Sequence, residues 1–150
     1  YQRKGTVWAD VEKNIIELRE RSPEVDFYVS ATVSAYNAWH ITDFHKSWVE
    51  KGYIQPGDWY MNVLLNNERF RMSVLPQGLK AEIKAKWQKH LRWLEPQDNI
   101  GRATEGYKSA IKFLDDEHTH LLNEFKAFNV EFDKLRDENF DDVYPELAGM

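Results

Sequence analysis

Cysteine is absent from the 150 residues. That excludes disulfides, thiolate catalysis, cysteine-ligated zinc and any iron–sulfur cluster held by the chain's own thiolates. Apolar runs are short, and none approaches the ~20 residues that span a bilayer. Positive charge is not in excess: the net charge is −5, and Lys and Arg are scattered among acids. No basic stripe therefore favours nucleic acid or an anionic membrane. Glycine and proline number only 7 and 5, with no low-complexity tract, flexible linker or internal repeat. A Gly-rich phosphate loop, a nucleophile elbow and a His-Glu-x-x-His pair are all missing. The opening Tyr1-Gln2-Arg3-Lys4-Gly5 has no apolar signal core, so the expected location is cytoplasmic. What remains, 42% hydrophobic and 30% charged, is the composition of one folded domain.

The hydrophobic spacing divides the chain into an α/β part, residues 1–75, and a helical region, residues 76–150, expected to pack as one structural unit. Thr6 is placed to cap a helix running to about Arg21, with Trp8, Val11, Ile15 and Leu18 as its stripe. Strict alternation from Val25 to Tyr36 predicts a strand. A helix from Thr42 to Lys51 carries Phe44, Trp48 and Val49 and ends at Gly52. After the turn Gln55-Pro56-Gly57, a second strand runs from Asp58 to about Asn66. Two strands joined through a helix make a βαβ unit with parallel pairing. Beyond Pro76, three helices are expected. They are marked by Leu79, Ile83, Trp87, Leu91 and Leu94; by Tyr107, Ala110, Ile111 and Leu114; and by Leu121, Phe125, Phe128, Phe132 and Leu135, the last between His120 and Asn139.

The strands carry an anomaly. Parallel strands usually read as continuous apolar runs because helices cover both faces. Here Val29, Ala31 and Val33 alternate with Ser30, Thr32 and Ser34, and Trp59, Met61 and Val63 with Tyr60, Asn62 and Leu64. In a barrel the polar faces would point into a lumen able to hold a ligand; otherwise one face meets solvent. Two strands cannot close a sheet, so both edges are expected to be open. The chain also begins at Tyr1 rather than Met and closes on a segment that reads like a natural terminus. These features together predict the back part of a longer protein.

Other chemical candidates are fewer. His40 and His45 are five apart and diverge on a helix, which suits no metal. His118 and His120 follow Asp115-Asp116-Glu117, a set of hard ligands or simply solvated loop charge. Arg69 and Arg71, just past the second strand, could hold a carboxylate or phosphate or be surface charges around Phe70. Most tryptophans fall on apolar stripes and are assigned to the core.

The segments Tyr1-x-Arg3-x-Gly5-Thr6-x-Trp8, Val11-Glu12-x-Asn14-Ile15 and Ser30-Ala31-Thr32-Val33-Ser34-x-Tyr36-Asn37 resemble the later part of radical S-adenosylmethionine proteins of the "twitch" type, short enzymes common in phage and environmental sequences. Tyr60-Met61-Asn62-Val63-Leu64 and the ending Arg136 to Leu147 are similar to the same group. The resemblance implies a partial (β/α)6 barrel whose fifth and sixth strands lie in this chain. It also implies S-adenosylmethionine and a [4Fe–4S] cluster in the full-length protein, the cluster on a three-cysteine loop upstream. Thr32, Ser34, Asn62, Val63, Leu64 and Arg3 are then the candidate cosubstrate or substrate contacts. The chain alone would hold no cofactor and would not be catalytic. Its partner would be the missing N-terminal half or a second copy joined through the open strand edges. The alternative is a self-sufficient α/β-plus-helical interaction module that homodimerises through those edges.

Overall fold

In the computed structural model, which describes residues 5–150, the chain folds as mixed α/β, mostly helical, around one two-stranded sheet. Helix α1 (Trp8–Arg21) leads into β1 (Val29–Val33), α2 (Ile41–Glu50) and β2 (Trp59–Val63). Two 3-10 turns, Glu68–Phe70 and Met72–Val74, precede α3 (Gln77–Leu94) and α4 (Arg102–Leu114). Another at Thr119–Leu121 opens α5 (Leu122–Arg136). The short α6 (Phe140–Val143) and a last 3-10 turn (Pro145–Leu147) close the fold. The strands pair in parallel, with Val29 opposite Trp59 and Val33 opposite Val63.

Several expected boundaries shift. The first strand is five residues long because β2 supplies partners only from Trp59 to Val63, so Val25 to Tyr28 alternate without pairing. The N-cap of α1 is Val7, not Thr6, and no side chain caps it. The last long helix stops at Arg136, where Asp137 takes a left-handed φ of 53° and turns the chain. Leu135, expected on its inner stripe, is 83% exposed.

One expectation fails in part: only one sheet edge is open. Ladder bonds run from Val29 N–H to Asp58 O through Leu64 N–H to Val33 O, and their alternation turns the Met61 N–H away from β1. Helix α4 lies along that outer edge. A Cβ added at Gly106 would sit 3.0 Å from Met61 Cβ and 3.6 Å from Met61 N, so any side chain here makes helix and strand give by a few tenths of an ångström. A helix over an edge strand blocks pairing with other chains. Helix α4 is itself held by Asp98, whose carboxylate accepts the Gly101 N–H at 2.9 Å and the Thr104 N–H at 2.8 Å. Burial pushes the Asp98 carboxyl up, but these backbone bonds outweigh it and hold the group below its ordinary value. Asp98→Ala leaves the Thr104 N–H without its acceptor, while the Gly101 N–H keeps the Asp98 main-chain carbonyl at 3.1 Å. It should cost about 2 kcal/mol in urea unfolding, the upper end for loss of a cap.

Two aromatic groups lie within one continuous core. The first surrounds the start of β2: the fully buried His45 ring stacks on Trp59 at 4.3 Å and faces Tyr107 at 5.8 Å, with Trp87 beside Tyr107 at 5.7 Å. Within it, His45 Nε2 donates to Pro56 O at 3.1 Å, and His90 Nε2 donates to His45 Nδ1 at 3.1 Å. The second lies past the end of β1, where Tyr36 packs on Phe125 at 5.2 Å and Tyr144 at 5.7 Å. Its hydroxyl donates to Asn129 Oδ1 at 2.7 Å. The helical region therefore meets the sheet twice, with α4 along the β2 edge and α5 and α6 docked through Tyr36. Among the described residues, no helix is long and apolar enough to cross a membrane.

Candidate functional site: the polar sheet face and the strand ends

Alternation in the two strands separates two surfaces. Ala31, Val33 and Trp59 are buried toward the helices. Ser30, Thr32, Tyr60 and Asn62 are exposed on the opposite face. There Asn62 Nδ2 donates to Ser30 Oγ at 2.9 Å, forming a polar rung across the sheet. Among the described residues one Asn62 N–H and its Oδ1 have no partner, so the rung can both donate and accept.

The sequence-derived site residues do not all share this face. Thr32 lies opposite Asn62 in register, and both are exposed. Ser34 follows the strand and is buried; its N–H donates to Asn37 Oδ1 at 2.8 Å, which makes it part of the turn into α2. Val63 is on the apolar side and Leu64 on the polar side. Both line a cavity of about 180 Å³ beyond the end of β2, together with Arg71, Ser73, Phe113 and Asp116. Arg3 lies outside the described residues.

Arg71, read as an anion holder or a surface charge, does something else. Its Nε and terminal amine donate to Leu65 O, and the other amine donates to His118 Nε2 at 3.1 Å and meets Glu68 at 3.2 Å. With Nε2 accepting, His118 Nδ1–H donates to Ser73 Oγ at 3.1 Å. Lys80, only 3% exposed, donates to Asp116 O at 3.1 Å and pairs with Glu117 at 3.5 Å. The acidic-histidine loop is thus latched onto the turn after β2. Arg69 stacks over Phe70 and Phe128. Among the described residues, no group of three or more His, Asp or Glu is placed to hold a metal ion.

The outer edge of β1 is the one of the two expected open edges that stays open. Ser30 and Thr32 turn their N–H groups away from β2, and among the described residues no backbone group pairs with either. The Thr32 carbonyl is the exception, accepting from Asn37 Nδ2 at 3.0 Å. Beside this edge a cavity of about 360 Å³ is lined by Val29, Ala31, Ile41 and Phe44, with Asn37 and His40 at its rim. Helix α1 stands next to it. It packs on α2 through Trp8, 5.9 Å from Phe44 and from Trp48, while its Arg19 donates to Tyr53 O at 2.9 Å. Around α1, Ile16 and Leu18 are exposed on opposite flanks of the helix, and Val7 before it and Val25 after it are exposed as well. No family model, curated protein or solved structure matches this chain.

Proposed function

We propose that this chain is the C-terminal half of a radical S-adenosylmethionine barrel of the "twitch" type, with β1 and β2 as the fifth and sixth strands of a partial (β/α)6 barrel. The observation that carries the reading is the outer edge of β1, unpaired among the described residues and set beside an apolar cavity. An edge of this kind is unsatisfied hydrogen-bonding capacity that natural sheets pair or cover. A fourth strand supplied from upstream would pair with Ser30 and Thr32 and bury the cavity wall. The face bearing Thr32 and Asn62, opposite the helices, would then look into the lumen, as in other barrels of this architecture.

The residues present fit one implied group and not the other. A [4Fe–4S] cluster needs thiolates, and this chain has none, so its ligands must come from upstream residues. S-adenosylmethionine, when held by such a cluster, supplies a 5′-deoxyadenosyl radical by reductive cleavage. Thr32 and Asn62 offer it, or the substrate, neutral donors and acceptors on the lumen face. Val63 and Leu64 offer apolar walls where the strand ends, and Ser34 and Arg3 belong to the same proposed set. The role of Arg71, His118 and Lys80 is to hold the loop after β2 in place around that end.

The test begins with the gene upstream of Tyr1. Extended to its full reading frame, it should encode three clustered cysteines. The reconstituted protein should carry a [4Fe–4S] cluster and release 5′-deoxyadenosine from S-adenosylmethionine under reduction. A reading frame without those cysteines overturns the proposal. The same open edge could instead pair with a second copy of the chain, in which case light scattering of the 150 residues alone would give a stable dimer.

A further inference from the structure

The polar sheet face changes character along its length. At its N-terminal end Tyr28 and Tyr60 meet across the strands, ring centroids 4.9 Å apart and planes at 63°. Arg102, the first residue of α4, lays its guanidinium 4.4 Å from the Tyr60 centroid. The Ser30–Asn62 rung comes next, then Thr32 and Leu64 toward the C-terminal end. Both tyrosines are large and exposed, at 54% and 41%, where a strand face open to solvent would more often carry charge. Their edge-on ring contact and the cation over Tyr60 both favour this one arrangement at a surface.

Taking the barrel reading above as its premise, the geometry points to Tyr28, Tyr60 and Arg102 as the floor of the lumen. They close its N-terminal mouth, so a ligand enters only from the C-terminal ends of the strands and reaches no deeper than the Ser30–Asn62 rung. The floor is tied to α4. Asp98 fixes the start of that helix, Gly101 turns into it with a φ of +76°, and Gly106 lets it approach β2. Arg102 therefore arrives over Tyr60 from a helix whose position is set independently of any ligand. These residues would set how far a substrate penetrates, a positioning role distinct from contact with the reacting atoms.

Tyrosine nitration tests this without a known substrate. Tetranitromethane is applied to the 150-residue chain and to the upstream-extended protein, and modified peptides are mapped; amide exchange of Ser30 and Thr32 is followed in parallel. In the isolated chain Tyr28 and Tyr60 should nitrate readily. In the extended protein both should react about tenfold more slowly, and Arg102→Ala should return Tyr60 to within about twofold of its rate in the isolated chain. If Ser30 and Thr32 amides become slow to exchange while both tyrosines nitrate as fast as before, the floor is overturned and the barrel reading stands. If neither amides nor tyrosines change on extension, the barrel reading fails and the floor with it.

Discussion

Acidification from pH 6.5 to 4.5 is expected to remove about 5 kcal/mol of folding stability, most of it through one pair of histidines. Burial is the largest cause in both, lowering His45 to about 4 and His90 to about 3 from an ordinary value of 6.5. The Pro56 carbonyl and Asp98 offset this partly at His45, while at His90 the neighbouring His45 and Lys46 add to it. A histidine with a depressed folded value is neutral in the native state, so the unfolded chain takes up the proton first. Stability is therefore full above pH 6.5 and is lost as the pH falls toward the folded values, at about 1.4 kcal/mol per pH unit for each histidine. The geometry explains the resistance to charging. His45 has donated its Nε2 proton to Pro56 O and must accept at Nδ1 from His90, so protonating it sets two donors against each other. Asp98 acts in the same direction but only below 3.8, outside this window. Urea unfolding at half-unit steps of pH should show a slope averaging about 2.3 kcal/mol per unit across it, and His90→Gln should roughly halve that slope. A flat profile between pH 6.5 and 4.5 would contradict the buried neutral pair.

Gly106→Val should be the most damaging single substitution on the α4 surface, costing about 3 kcal/mol and separating α4 from β2. Two effects oppose each other at this position. A side chain in mid-helix is worth up to about 1 kcal/mol over glycine. Against that, the new Cβ would lie 3.0 Å from Met61 Cβ, an atom fixed to the strand backbone that cannot swing aside. For Gly106→Ala the two nearly cancel, with a loss of about 1 kcal/mol or less. Valine adds two methyl groups to the same contact and a branched Cβ that the helix disfavours. Because α4 carries Arg102, the variant should also release Tyr60, read as a change in Tyr60 ring shifts and faster nitration. A valine variant as stable as the parent would mean that α4 does not seal this edge.

The strands and the long helices were legible because their apolar spacing matches the period of the element that formed. The alternation around Ala31 and Val33 and the stripe Ile83, Trp87, Leu91 and Leu94 both end buried. The alternation over-reached at Val25 because pattern alone does not say where the partner strand begins. Leu135 kept its helical spacing but fell at the final turn of α5, past the last surface it could pack on. The covered β2 edge had one signal, a lone glycine inside a helical pattern, whose meaning depends on the element it meets. The His45–His90 pair had none: its members are 45 apart in sequence and are brought together only by the packing of α2 on α3. The placement of Thr32 and Asn62 on the exposed sheet face was readable from strand parity. Ser34 was not, because the strand ended one residue before it and its backbone joined the Asn37 turn.

Amide hydrogen exchange at Ser30 and Thr32 tests the central claim most directly. In the 150-residue chain their N–H groups face outward from β1 with no backbone partner among the described residues, and should exchange within about tenfold of an unfolded peptide. Joined to the upstream strands, the same two amides should slow by a factor of about a hundred or more, while those of Val29 and Ala31, already paired with β2, change little. Equal, rapid exchange of Ser30 and Thr32 in both proteins would contradict the account, because no strand would then have joined the edge on which it rests.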